Sequence, residues 1–310
     1  MSRLTHVKSG PYAPPAPARE LTAVSADGAR LHVEVHEPVD GASAPTVVLV
    51  HGWTCSTAYW AAQIRDLAAD HRVIVYDQRG HGRSPASPAC STDALADDLE
   101  AVLAATLAPG EKAVLVGHSM GGMTLMAASG RARLREHAAA VLLCSTGSSR
   151  LVAESLVVPL RAGRMRTWLT KRILGARAPL GPVTPLARRI LKYATMGPGS
   201  APVMVEACAR IVHACPRQVR YAWSHVLDTL DLDHAVRELT VPTAVVVGLA
   251  DRMTPVIHAR ALVAALPNCV GATELPGVGH MTPVEAPELV NGRIRELVST
   301  YVRVELKEDA

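Results

Sequence analysis

Five short runs, TVVLV (46–50), RVIVYD (72–77), AVLVG (113–117), AVLLC (140–144) and TAVVV (243–247), are almost continuously apolar and rich in β-branched residues. A strand with one wet face alternates apolar and polar residues. A strand covered on both faces does not, so runs of this kind belong in a parallel sheet. Helix-like stretches follow four of them: STAYWAAQIRDLAAD, STDALADDLEAVLAATL, MTLMAASGRARL and TPVIHARALVAAL. Ser91 or Thr92 is placed to cap the second of these. The alternation predicts an α/β fold with a mostly parallel sheet and right-handed crossovers. Ahead of it, ELTAVSADGARLHVEVHEP reads as two alternating strands about Asp27-Gly28, a favoured hairpin turn, so an N-terminal antiparallel hairpin should edge the sheet.

Between residues 146 and 239 no buried-strand run occurs. The pattern is helical, interrupted at Pro179, Pro182, Pro185 and the PGSAP loop. The segment starts just past a strand's C-terminal end, where open α/β sheets place their ligands. It is therefore expected to be a helical lid, or cap, on a core made of residues 21–145 and 240–310. Residues 1–20, MSRLTHVKSGPYAPPAPARE, read as a flexible Pro-rich lead-in. They lack the apolar middle of a secretory signal, and no apolar run approaches the roughly 18 residues of a membrane span. A cytoplasmic protein is the expectation. The six cysteines form no CxxC pair and no zinc-like spacing, so no metal site is expected.

Chemistry enters at VLVGHSMGGM (114–123). Gly117-x-Ser119-x-Gly121 follows a strand and opens a helix, the context of a nucleophile elbow. The turn is tight, and glycines two residues before and after the serine let strand and helix pass close to their neighbours. Ser119 is the candidate nucleophile, and the Met120 backbone N–H at the helix start is a candidate oxyanion donor.

A serine needs a base, and the chain has thirteen histidines. His51, His81 and His118 sit in loop motifs, and His213 and His225 in the insertion. His280, in LPGVGHMTPVEAPELV, lies between a last strand and the final helix, where a loop can carry its imidazole over the strand ends. Asp251, in TAVVVGLADRMTP, lies just past a buried strand and is the candidate orienting acid, while CSTGSSR after the preceding strand contains no carboxylate. The order Ser119, Asp251, His280 is the one expected of this architecture. The second oxyanion donor should follow the first parallel strand, in VLVHGWTCSTAYW, where Gly52 permits a tight turn and the Trp53 N–H is placed to donate. The Trp53 indole could also wall the substrate pocket, with Met120 beside it. Asp77, at another strand end, reads as structural, bonding the turn through Gly80 and Gly82.

Together VVLVHGW, VIVYDQRGHGRS, VLVGHSMGG, VPTAVVVGLAD and LPGVGHMTPVEAP resemble the α/β-hydrolase superfamily, nearest its lid-bearing serine esterase, lipase and haloperoxidase-like branch. The resemblance implies Ser119, Asp251 and His280 as triad and the Trp53 and Met120 N–H groups as oxyanion hole. The resemblance does not identify a substrate; the function expected is hydrolysis of a carboxylic ester, lactone or thioester of a largely apolar acyl group, with no metal or organic cofactor. An acyltransferase, a C–C hydrolase or a cofactor-free perhydrolase would use the same triad, and a ligand receptor on the same fold would tolerate its loss. A serine nucleophile speaks against branches that need a carboxylate at this position.

Residues 150–192 hold ten Lys or Arg and one acid, Glu154, while the whole chain is only +4. Three readings of this basic segment stay open: a solvated lid whose arginine stems cover apolar surface, docking to an anionic membrane or lipid aggregate, and an anionic substrate or acidic carrier. No nucleic-acid recognition motif accompanies it. Oligomeric state has no signature in the sequence.

Overall fold

A computed structural model describes residues 10–38 and 44–302. Its sheet has eight strands: β1 Arg19–Val24, β2 Arg30–His36, β3 Thr46–Val50, β4 Arg72–Tyr76, β5 Ala113–His118, β6 Ala138–Cys144, β7 Thr243–Gly248 and β8 Cys269–Leu275. They lie in the order β1-β2-β4-β3-β5-β6-β7-β8. β1 and β2 pair antiparallel, as do β2 and β4, and every later pairing is parallel. The expected α/β-hydrolase fold with an N-terminal antiparallel pair is therefore what the chain adopts. The sequence explains the layout. β3, β5 and β7 are buried along their whole length, as unbroken apolar runs require, because helices cover both faces.

The helices before the insertion are α1 Ala61–Leu67, α2 Thr92–Thr106, α3 Met120–Ala127 and α4 Ala132–His137. Ser91 caps α2 by accepting the Ala94 N–H at 3.1 Å. The stretch MTLMAASGRARL, read as one helix, is two: α3 stops at Ala127 and α4 begins at Ala132, with Gly130 in the break. Six helices join β6 to β7: α5 Leu151–Glu154, α6 Arg164–Leu174, α7 Pro185–Thr195, α8 Pro202–Ala214, α9 Arg217–Asp228 and α10 Asp233–Glu238. Pro185 opens α7 behind a Thr184 cap, so a proline expected to break helix here starts one. After β7 come α11 Val256–Ala265, α12 Thr282–Glu285 and α13 Pro287–Tyr301.

Residues 1–9 of the expected lead-in lie outside the described residues. The remainder is attached rather than free. Tyr12 is buried and donates to the Val284 carbonyl at 3.1 Å, and Arg65 binds the Gly10 and Ala13 carbonyls. No helix among the described residues is long and apolar enough to cross a membrane.

Candidate active site

Strand β5 delivers Ser119 to the centre of the sheet's C-terminal edge. Its backbone, φ 51° and ψ −118°, lies where L-residues rarely sit, so the turn is strained and must be held. The Ser119 N–H donates to the Cys144 carbonyl at 3.0 Å, and Thr146 Oγ1 donates to the Ser119 carbonyl at 2.7 Å. Both anchors lie at the end of the neighbouring strand β6. The two elbow glycines are steric requirements: a Cβ on Gly117 would lie 2.5 Å from the Gly121 carbonyl oxygen, and one on Gly121 2.0 Å from that of Val50.

The loop after β8 brings His280 to the serine, with Nε2 3.0 Å from Ser119 Oγ. The loop after β7 brings Asp251, whose Oδ2 is 2.8 Å from His280 Nδ1. All three side chains are buried. Asp251 is saturated: Oδ1 accepts the Met253 and Thr254 N–H groups at 2.8 and 2.9 Å, and Oδ2 accepts the Thr254 hydroxyl at 2.9 Å besides the imidazole. With four donors on the carboxylate, Nδ1 must carry the ring proton. The Nε2 lone pair then faces the Ser119 hydroxyl.

Three residues that the sequence did not single out for the site hold this arrangement. His118 Nε2 donates to the His280 carbonyl at 2.9 Å, and the His118 ring stacks on Tyr59 at 4.6 Å. The His280 N–H donates to the Thr195 carbonyl at the end of α7, at 2.8 Å. Glu285 accepts the Gly279 and Met281 N–H groups on either side of His280, each at 3.1 Å. It also accepts the Gly197 N–H at 2.7 Å and the Ser200 hydroxyl at 2.6 Å from the insertion. The one signal of Glu285 in the sequence is a lone charge in the otherwise uncharged MTPVEAP.

Met120 opens α3, where a first-turn N–H has no partner within the helix. Trp53 follows Gly52, whose backbone passes so close to Ser119 that a Cβ there would lie 3.1 Å from Ser119 Cβ. The Trp53 loop is fixed by neutral histidines. His51 Nδ1 donates to the Gly52 carbonyl at 2.8 Å while Nε2 accepts the Gln78 N–H at 3.0 Å. His81 Nε2 accepts the Thr54 N–H at 3.3 Å. Burial pushes His51 down to about 3 and His81 to about 4. Gln78 then reaches α3, accepting the Thr124 hydroxyl at 2.8 Å. Asp77 accepts the Thr57 and Arg83 N–H groups, each at 2.8 Å, and burial raises it to about 6. It bonds loop backbone, as its turn-like setting suggests.

Ser119 lies where two apolar chambers meet. They span about 640 and 1120 Å³, counting space open at their mouths. Trp53, Ser119, Leu174, Met253 and His280 border both. The smaller runs on to Met123, Leu151 and Leu227, and the larger to Ile190, Leu191 and Val212. Burial raises the Cys55 thiol at the larger chamber's wall, so it offers no competing thiolate. Elsewhere Glu20, His32 and Glu34 bring ligand atoms within 4.8 Å of one another. Arg83 already holds Glu20 at 2.6 and 2.7 Å and His32 holds Glu34 at 3.0 Å, so protein donors occupy that cluster.

Residues 47–293 match the model of the alpha/beta hydrolase family. A stretch of 81 residues is 43% identical to the esterase YbfF of Escherichia coli, covering 26% of this chain and 31% of that protein. The pimeloyl-[acyl-carrier protein] methyl ester esterase of Xylella fastidiosa is 26% identical over 262 residues, 83% of this chain and 96% of that protein. The chain spans about a third of the length of the first curated relatives it matches. Among solved structures, the esterase RhEst1 from a Rhodococcus species superposes with a TM-score of 0.73 at 25% identity, over 91% of this chain and 99% of that one.

Proposed function

The chain belongs to the alpha/beta hydrolase family, and we propose that within it the protein is a serine hydrolase of carboxylic esters, lactones or thioesters with a largely apolar acyl group. The observation that carries this reading is the relay Asp251 Oδ2–His280 Nδ1 at 2.8 Å and His280 Nε2–Ser119 Oγ at 3.0 Å. His280 takes the Ser119 proton as Oγ attacks the carbonyl carbon. The negative charge that develops on the carbonyl oxygen is met by the Trp53 and Met120 N–H groups, one such donor being worth about 100- to 1000-fold in rate. The tetrahedral adduct collapses, His280 gives the proton to the leaving alcohol, and an acyl ester on Ser119 remains. Water, deprotonated by His280, then frees the acid. Asp251 keeps the imidazole in the tautomer that can accept from Ser119 and stabilises its charged form. The six-helix insertion acts as the cap that encloses an apolar substrate.

Turnover of p-nitrophenyl esters tests this. Ser119→Ala should abolish it, and mass spectrometry of wild-type protein caught during turnover should show the acyl mass on the Ser119 peptide. Full turnover by purified Ser119→Ala, or absence of labelling by a fluorophosphonate, would overturn the assignment.

A further inference from the structure

We propose that α6 and α7 form a docking surface for an anionic lipid surface, and that an apolar ester passes from it directly into the larger chamber; the entry route rests on Ser119 being the nucleophile, the docking does not. A surface helix normally buries an apolar stripe against the core. α7 buries none of its residues, and its Leu186, Ile190 and Tyr193, at i, i+4 and i+7, share one exposed face. α6 exposes Met165 and Trp168 in the same way, 65% and 55% accessible. These are the residue types that insert at the boundary between headgroups and acyl chains.

The charges around them match the same partner. Arg161, Arg164, Arg172, Arg177 and Arg189 are all exposed, and none makes an ion pair with an acid among the described residues. Four other basic side chains of the insertion are spent internally. Arg166 and Arg220 are buried on backbone carbonyls, Lys171 pairs with Asp228 at 2.5 Å, and Arg188 pairs with Glu206 at 2.6 Å. Five guanidiniums without an acid partner, of which Arg172 lies over the Trp168 ring and Arg177 over the Tyr221 ring, stand among protruding apolar side chains and are complementary to a surface that is apolar beneath and anionic on top.

Continuity with the cavity supplies the third observation. Ile173, Leu180 and Ile190 are exposed on the outside and also line the larger chamber. The apolar patch is therefore the rim of the chamber mouth. A molecule partitioned into the lipid would meet apolar surface all the way to Ser119.

The test uses full-length Ser119→Ala protein, so that binding is read without catalysis and a failed esterase assay cannot be mistaken for failed docking. It should sediment with vesicles of equal parts phosphatidylcholine and phosphatidylglycerol at low salt, and not with phosphatidylcholine alone. Raising the salt should release it, because exposed charges are screened within about 8 Å at physiological ionic strength. The triple change Arg164→Gln, Arg172→Gln, Arg189→Gln should weaken binding about 100-fold, at about 5-fold per charge. Trp168→Ser with Leu186→Ser should weaken it as well. Introduced into the Ser119 protein, neither set should alter kcat/KM on a short water-soluble ester, because none of these side chains borders either chamber; unchanged thermal unfolding confirms the fold. The proposal fails if anionic vesicles are not bound at low salt or neutral vesicles are bound equally well. It also fails if the arginine changes raise KM for a soluble anionic ester while vesicles stay unbound. Self-association lost in the Trp168/Leu186 variant, again without vesicle binding, would overturn it in favour of a second copy of the chain.

Discussion

The imidazole of His118 donates from Nε2 to the main-chain carbonyl of His280, 2.9 Å away, so the residue next to Ser119 in sequence fixes the loop that faces it. Burial and the neighbouring His280 push His118 far below the usual histidine range, so it stays a neutral donor and places no positive charge beside the relay.

His118→Leu should keep the fold and lower kcat about tenfold with KM nearly unchanged. The loss is one buried hydrogen bond, worth about 1 kcal/mol, plus its effect on the His280 position. Steady-state kinetics on a chromogenic ester decide it: a change confined to KM would mean that His118 shapes the pocket instead of the relay.

Glu285 gathers donors from both sides of His280 and from the insertion. Glu285→Gln removes the negative charge and turns part of the acceptor toward N–H groups as a donor. We expect about 1–3 kcal/mol of stability to be lost, in the range for disrupting hydrogen bonds to a half-buried charged group. Activity should fall even under conditions where the variant is folded. Urea unfolding alongside kcat separates the two effects, and an unaltered kcat would show that the loop holds its shape without the carboxylate.

Gly121→Ala should leave little folded protein, because its Cβ would meet the Val50 carbonyl oxygen at 2.0 Å in two elements that cannot part. Gly292, inside α13 with nothing within 4 Å of its would-be Cβ, is the control. Gly292→Ala should stabilise by about 0.5–1 kcal/mol, the helix preference of alanine over glycine. Thermal unfolding of both, with soluble yield, checks the contrast.

Stability should fall on acidification below about pH 6.5. His51 at about 3 and His81 at about 4 bind protons in the unfolded chain before they do in the fold, so their contribution is complete above pH 6.5 and is lost as pH falls toward 4. Asp77, raised to about 6, works the other way: the fold holds its proton between about 4 and 6 where the unfolded chain has released it. His118, held far below the usual histidine range, works in the same direction as His51 and His81, so the histidines outweigh the one acid and the net loss between pH 7 and 4.5 is on the order of a few kcal/mol. Urea midpoints across that range measure it, and a flat profile would show that these histidines ionise in the folded state.

The elements easiest to read were those whose burial is total. TVVLV and AVLVG are apolar throughout because both sheet faces are covered, and β3 and β5 fall where those runs lie. Ser119, Asp251 and His280 were legible because each follows a strand, and the structure brings the three within hydrogen-bond reach. Glu285 and His118 were not, because their partners are mostly backbone groups, and a backbone donor or acceptor leaves no letter in the sequence. The break between α3 and α4 was missed because a helical pattern on either side of Ser129-Gly130 continues in phase. Arg166 counts with its neighbours as a charge, yet it is buried on the Ala153 carbonyl; composition cannot say which arginines face out.

Helix α7 ends at Thr195, whose carbonyl receives the His280 N–H, and the chain goes on at once to Gly197 and Ser200, both gripped by Glu285. A helix with no fully buried residue is thus tied to the imidazole's own loop. A displacement of α7 at its exposed face would therefore act on the same hydrogen bonds that hold the His280 loop. If Ser119 is the nucleophile and the α6–α7 face docks as proposed, the stiffness of the α7 terminus sets how far a push at that face reaches the spacing between His280 and Ser119.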